Sequence, residues 1–267
     1  MVESETILSV SQLTIERDKA ILDHIDWSVE RGENWVILGP NGSGKTSLLK
    51  SLVGYFPPTS GTITVLGKTF GRNNWNDLRL RVGLVSSSIQ QRIEGNEPAI
   101  DVVVSGKYAQ INYWGRMFKK DKERAREYME LMGCEYLGDK TWITFSQGEK
   151  QRLLIARALM AKLEILILDE PCAGLDPVAR EHFLETINAL AKNRPELPII
   201  LVTHHVEEIT PAFTHALILK QGKIISSGTI AQSLNSAHLS SAFSVPLRLR
   251  KSSGRFTLTH LPIKKPK

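Results

Sequence analysis

Gly39-Pro40-Asn41-Gly42-Ser43-Gly44-Lys45-Thr46 fits the pattern G-x-x-x-x-G-K-[ST], the phosphate-binding P-loop. Glycines let the backbone curl until successive N–H groups converge on phosphate oxygens. A helix starting there adds its positive dipole end. Lys45 supplies a point charge for β- and γ-phosphates, and the Thr46 hydroxyl suits Mg²⁺. A second group, Asp169-Glu170, closes the apolar run Ile165-Leu166-Ile167-Leu168. Carboxylates at the mouth of a buried strand are costly to desolvate unless they meet a cation or water. Asp169 suits the Mg²⁺ shell, directly or through water, and Glu170 is placed to polarise an attacking water. Such a pair also caps helices. The upstream loop is what favours the chemical reading.

The elements that must hold these groups alternate between strand and helix. Ile7–Glu16 and Ile21–Val29 read as strands joined by the polar turn Arg17-Asp18-Lys19, with Ile21, Ile25, Trp27 and Val29 near period two. Trp35–Leu38 has the unbroken apolarity of a strand buried on both faces, and Lys45–Val53 has helical spacing. Short strands are expected at Thr62–Leu66 and Arg81–Val85. Between Pro98 and Gly138 the character changes: Lys119–Met132 is charged, with a helical stripe of Ala125, Tyr128, Met129 and Met132. Ile165–Leu168, Ile199–Val202 and Ala216–Leu219 return as buried strands. Phe243–Thr259 has room for strands, and Pro262–Lys267 reads as a frayed end. The pattern predicts an α/β fold, a doubly wound parallel sheet with an antiparallel β-layer at the N-terminal end and an inserted helical region.

The 267 residues suffice for one large or two small domains, since domains commonly run to about 100–200 residues. At 42% hydrophobic and 23% charged, the composition is that of a globular protein. No apolar run approaches the roughly 20 residues of a membrane span, and the acidic Met1-Val2-Glu3-Ser4-Glu5 lacks a secretory plan. Cys134 and Cys172 support neither a disulfide framework nor a zinc site, so a reducing intracellular setting is expected. Charge is unevenly placed. From Ile209 onward there are nine Lys and Arg and no acid, so a chain of net +6 carries −3 over residues 1–208. That end reads as a solvated basic extension, with acidic headgroups or nucleic acid as partners to weigh.

Phe145-Ser146-Gln147-Gly148-Glu149-Lys150-Gln151-Arg152 resembles the Leu-Ser-Gly-Gly-Gln signature of ATP-binding cassette (ABC) ATPases. The order of the phosphate loop, this signature, Asp169-Glu170-Pro171, Gly174-Leu175-Asp176 and Thr203-His204 agrees with that family across residues 6–230. The resemblance implies a P-loop NTPase core of RecA type, a Mg²⁺-dependent ATPase with ATP as substrate, and a domain over residues 1–240. The helical insertion would occupy about 90–150 and a basic extension 241–267. It also implies a head-to-tail homodimer in which Ser146, Gln147 and Gly148 of one cassette cover the γ-phosphate held by the other. Asp176 would lie in the loop linking the two sites, and His204 would contact γ-phosphate, joining Glu170 and Lys45 in catalysis.

Three departures stand out. Gln147 and Glu149 replace Gly and Gln of the signature, and the acidic Glu149 is expected to point away from phosphate. Ser87 stands where the family's Q-loop glutamine is usual, with Gln90 and Gln91 nearby. The adenine-stacking aromatic is missing around residues 15–19, where the Arg17 guanidinium could stack instead. The resemblance favours the nucleotide-binding subunit of an ABC transporter, at the cytoplasmic face of a separate membrane partner. The alternative is a soluble cassette acting as an ATP-driven clamp on nucleic acid, ribosomes or a regulatory protein. A GTPase would need a guanine-reading Asn-Lys-x-Asp stretch, which the sequence lacks.

Overall fold

The computed structural model describes residues 5–262. The strands are β1 (Thr6–Glu16), β2 (Ala20–Glu30), β3 (Trp35–Leu38), β4 (Ser60–Val65), β5 (Lys68–Thr69), β6 (Val82–Ser86), β7 (Ile165–Asp169) and β8 (Ile199–Thr203). They continue as β9 (His215–Lys220), β10 (Lys223–Thr229), β11 (Leu247–Ser252) and β12 (Arg255–His260). The helices are α1 (Lys45–Leu52), α2 (Ser87–Gln90), α3 (Ala99–Ser105), α4 (Lys119–Leu131), α5 (Gln147–Leu159), α6 (Pro177–Asn193), α7 (Ile230–Ser233) and α8 (Ser236–Phe243). The chain divides into two compact units, one drawn from Met1–Asn76 with Pro198–Lys267, the other Asp77–Leu197.

In the first unit β1 and β2 pair antiparallel across the expected polar turn, and β4 and β5 extend the sheet in the order β2-β1-β4-β5. In β2, buried Ile25, Trp27 and Val29 alternate with exposed Asp26 and Ser28, as a one-sided sheet requires. A second layer runs β10-β9-β3-β8. Here β3 is parallel to both β8 and β9, and every residue of β3 and β8 is buried. β10, absent from the sequence expectations, is an antiparallel edge strand of half-buried and exposed residues. It follows a two-residue turn in which Gln221 and Gly222 both hold positive φ (47° and 77°), the geometry of a type I′ hairpin.

Through residue 262 the basic end is not a solvated tail. β11 and β12 form a hairpin, with Phe256 and Leu247 buried, so strands do occur within Phe243–Thr259. A boundary at residue 240 falls inside α8. The Leu247 amide donates to Ser240 Oγ (2.9 Å) and the Leu249 amide to Ser236 Oγ (3.0 Å), which fasten the hairpin to α8. The frayed end foreseen for Pro262–Lys267 lies, from residue 263, outside the described residues, as do residues 1–4 of the acidic start.

In the second unit β6 and β7 run parallel, from Val82↔Ile165 to Ser86↔Asp169. α3, α4 and α5 pack together, with Ala125, Met129 and Met132 buried along the predicted stripe. Asp121 of α4 is buried against Lys107, whose Nζ donates to Oδ1 at 2.8 Å. That ammonium holds the Asp121 carboxyl below its ordinary value, and Asp121 raises the lysine in return.

Candidate nucleotide site

The candidate residues divide between the two units. On the first, the phosphate loop leaves the C-terminal end of β3 and turns into α1. Gly39 has no alternative: a Cβ there would lie 2.4 Å from the Leu219 carbonyl oxygen. Gly44 caps α1 at φ 104°, and a Cβ on it would meet Leu22 Cδ2 at 2.6 Å. The loop is pinned from outside, because the Gly222 amide donates to Ser43 O (3.0 Å) and the Asp23 amide to Gly222 O (2.9 Å).

Lys45 is buried, its Nζ donating to the Gly39 (2.8 Å) and Pro40 (3.1 Å) carbonyls, so the ammonium lies across the loop. α1 has no side-chain cap and no acid in its first turn, which leaves its N-terminal amides to an anion. Ser43 Oγ is buried without a hydrogen-bond partner among the described residues. A phosphate oxygen would satisfy both features, so this loop fits a nucleotide phosphate. Asn41, Gly42 and Thr46 are exposed.

Strand register brings His204 alongside. Leu38 pairs with Thr203 on β8, so Gly39 and His204 leave adjacent parallel strands at the same level. The His205 amide donates to Thr203 Oγ1 (3.0 Å), and the two imidazoles lie 4.0 Å apart. Trp35 is core, 4% exposed and stacked on His215 with centroids 4.9 Å apart. Arg17 lies with its guanidinium carbon 5.5 Å from the centroid of the Phe56 ring. Phe56 is an aromatic that the sequence analysis missed, because the fold brings it to Arg17 from beyond α1.

On the second unit Asp169 closes β7 and Glu170 follows with φ 49°, an uncommon backbone state for a residue with a side chain. Ser86↔Asp169 places the Ser87–Gln90 helix beside that end. Of the three Q-loop candidates, Gln90 is engaged with the signature. Its amide exchanges two hydrogen bonds with Gln147, at 2.7 and 3.0 Å, while Ser87 and Gln91 are exposed.

Ser146 caps α5 in a reciprocal box. The Glu149 amide donates to Ser146 Oγ (3.3 Å), and the Ser146 amide and hydroxyl both donate to Glu149 Oε2 (2.8 Å each). Tyr136 donates its hydroxyl to Glu149 Oε1 (2.8 Å). Burial would raise the Glu149 carboxyl, but these donors and the nearby Arg152 charge outweigh it and hold the group below its ordinary value. Glu149 is therefore the reciprocal partner of the Ser146 cap, a role legible in Ser146-x-x-Glu149 but missed. Gly148 is buried, and its Cβ position lies 3.7 Å from Leu175. Asp176 caps α6, its Oδ1 accepting from the Val178 (2.8 Å) and Ala179 (2.9 Å) amides. Ser146, Gly148, Arg152, Asp176 and His182 line one cavity of about 250 Å³.

Among the described residues no cluster of three His, Cys, Asp or Glu could hold a metal. The Thr46 hydroxyl of the first unit and, separately, the Asp169 carboxylate of the second are each an oxygen donor of the kind Mg²⁺ takes.

The ABC transporter family model matches residues 22–173. The chain belongs to the ABC transporter family. It is 44% identical over 255 residues to the ABC transporter ATP-binding protein YlmA of Bacillus subtilis (strain 168), covering 95% of this chain and 97% of that one. The ABC transporter ATP-binding protein YmeB of Lactococcus lactis subsp. lactis (strain IL1403) is 41% identical over 231 residues, 86% of this chain and 89% of its own. The solved structure of cbiO1 from Clostridium perfringens, part of the ABC transporter complex cbiONQ, superposes with a TM-score of 0.74. It is 28% identical, over 84% of this chain and 89% of that one. The cassette is thus an ATP-binding protein of the transporter kind, and the nucleic-acid clamp is not favoured.

Proposed function

We propose that two copies of this cassette close head to tail over two MgATP molecules and hydrolyse them to drive a separate membrane-spanning partner. The observation that carries the reading is the common strand edge at which the phosphate loop and His204 emerge in register. Glu170 draws a proton from the attacking water. Lys45 and His204 of one copy, with Ser146, Gln147 and Gly148 of the other, neutralise charge on the transferring phosphoryl group. Thr46 would offer its hydroxyl and Asp169 its carboxylate to Mg²⁺, which would supply further positive charge. Asp176, at the head of α6, serves the link between the two sites.

Among the described residues no helix is long and apolar enough to cross a membrane, which agrees with a subunit at the cytoplasmic face. Identity of 44% to a transporter ATP-binding protein over 95% of this chain supports the same reading. Glu170→Gln tests it. The variant should bind ATP, hydrolyse it roughly 10²- to 10⁴-fold more slowly, and elute as a dimer on gel filtration with ATP. Full turnover in that variant would remove Glu170 from the reaction.

A further inference from the structure

Nothing in the proposed reaction uses the C-terminal hairpin, yet it touches the chain directly after His204. Thr203 ends β8, His204 and His205 follow, and Val206–Glu208 form one turn of 3₁₀ helix. Arg255 of β12 donates from Nη2 to the Glu207 carbonyl oxygen at 2.6 Å. The Leu258 amide donates to Glu207 Oε1 at 3.3 Å. Gly254, in the hairpin turn, lies against Pro211, whose Cγ is 3.5 Å from the glycine's Cβ position. The hairpin thus grips both the backbone and the side chain of Glu207 and brackets the segment 207–211.

Its far side is anchored. Ser236 and Ser240 of α8 bond β11, and the Ser241 carbonyl of α8 accepts from Lys220 Nζ at the end of β9. β9 is itself paired with β3, the strand that feeds the phosphate loop. A closed mechanical path therefore runs from β3 through β9, α8 and the hairpin to Glu207.

We propose that the hairpin is a brace that holds the His204 loop at the level of the phosphate loop, with Arg255 as its principal positioning residue. The proposal rests on the reading that His204 stabilises γ-phosphate charge. A charge-assisted bond to a backbone carbonyl fixes three-residue-distant His204 through a turn whose Val206, Glu208 and Ile209 are buried and have little room to give. A shift of an ångström at a group aimed at a transferring phosphoryl is enough to slow the step severely.

The test is single-turnover and steady-state ATPase measurement on the full chain, as wild type, Arg255→Ala, Arg255→Lys, His204→Ala and the Arg255→Ala/His204→Ala double variant. Arg255→Ala should lower kcat about tenfold with KM for ATP changed by less than about twofold, and Arg255→Lys should recover most of it. In the His204→Ala background, Arg255→Ala should cost nothing more, because the group it positions is gone. If His204→Ala slows turnover but Arg255→Ala multiplies that loss by its full single-variant factor, the hairpin acts elsewhere and the brace is refuted. Wild-type kcat in Arg255→Ala refutes it equally. Wild-type kcat in His204→Ala instead overturns the role of His204, and the brace falls with it. Should Arg255→Ala not fold, Arg255→Gln, which loses the charge-assisted bond to the Glu207 carbonyl, is compared in the same way with its His204→Ala double variant, and the same outcomes decide.

Discussion

Ser146 is asked to do two things, to end a helix and to face a phosphate, and its neighbours show how the first is achieved. Its hydroxyl and amide both donate to Glu149, which also receives the Tyr136 hydroxyl. The acid that departs from the usual signature is thus a stiffening of the helix start. Because the folded state lowers the Glu149 pKa, its contribution is fully present above the ordinary value of 4.5 and is lost as pH falls through the lowered value. Glu149→Gln should cost about 0.5–1 kcal/mol at neutral pH. The gap from wild type in urea unfolding should close as the pH is lowered. A gap that stays constant down to about pH 3 would mean that the carboxylate charge contributes nothing. Gln147, also a departure, is tied to Gln90, which gives the signature helix a link to the segment following β6.

Helices in the second unit approach closely where glycine permits it. Gly106 ends α3 against α5, and a Cβ there would stand 1.8 Å from the Arg157 carbonyl oxygen. Its backbone is an ordinary helical one (φ −60°), so the obstacle is contact alone. Gly106→Ala should destabilise the cassette by about 1–3 kcal/mol, read as a lower urea midpoint with an unchanged slope. An unchanged midpoint would show that α3 and α5 can part freely. Elements like these were legible wherever burial is two-sided. β3, β7 and β8 print as apolar runs, and the α4 stripe prints at helical spacing. β10 was not legible, since an edge strand of Ser226, Ser227 and Gly228 has no apolar period and its Gln221-Gly222 turn is not a common hairpin pair. At the site, the phosphate loop and the Asp169-Glu170 pair are local in sequence and could be read directly. The Arg17–Phe56 and Gln90–Gln147 contacts join distant segments, and no spacing rule announces them.

For the molecule as a whole, part of the positive charge after Ile209 is structural among the described residues. Lys220 bonds the Ser241 carbonyl, Lys223 pairs with Asp23 at 3.1 Å, and Arg255 holds Glu207, while Arg248 and Arg250 are exposed. Both cysteines are buried, and burial pushes the Cys134 thiol up to about 12. The folded protein should therefore give no rapid reaction with Ellman's reagent at pH 8, with two thiols per chain appearing on denaturation. Fast labelling of either in the native state would show that its unit opens readily. The clasp on Glu207 also has a bearing on how such proteins are handled. A fluorescent reporter or purification handle joined downstream of His260 would hang from the very strand that steadies the chain after His204. Turnover numbers from preparations modified at opposite ends of the polypeptide should then disagree, with the downstream fusion the slower of the two.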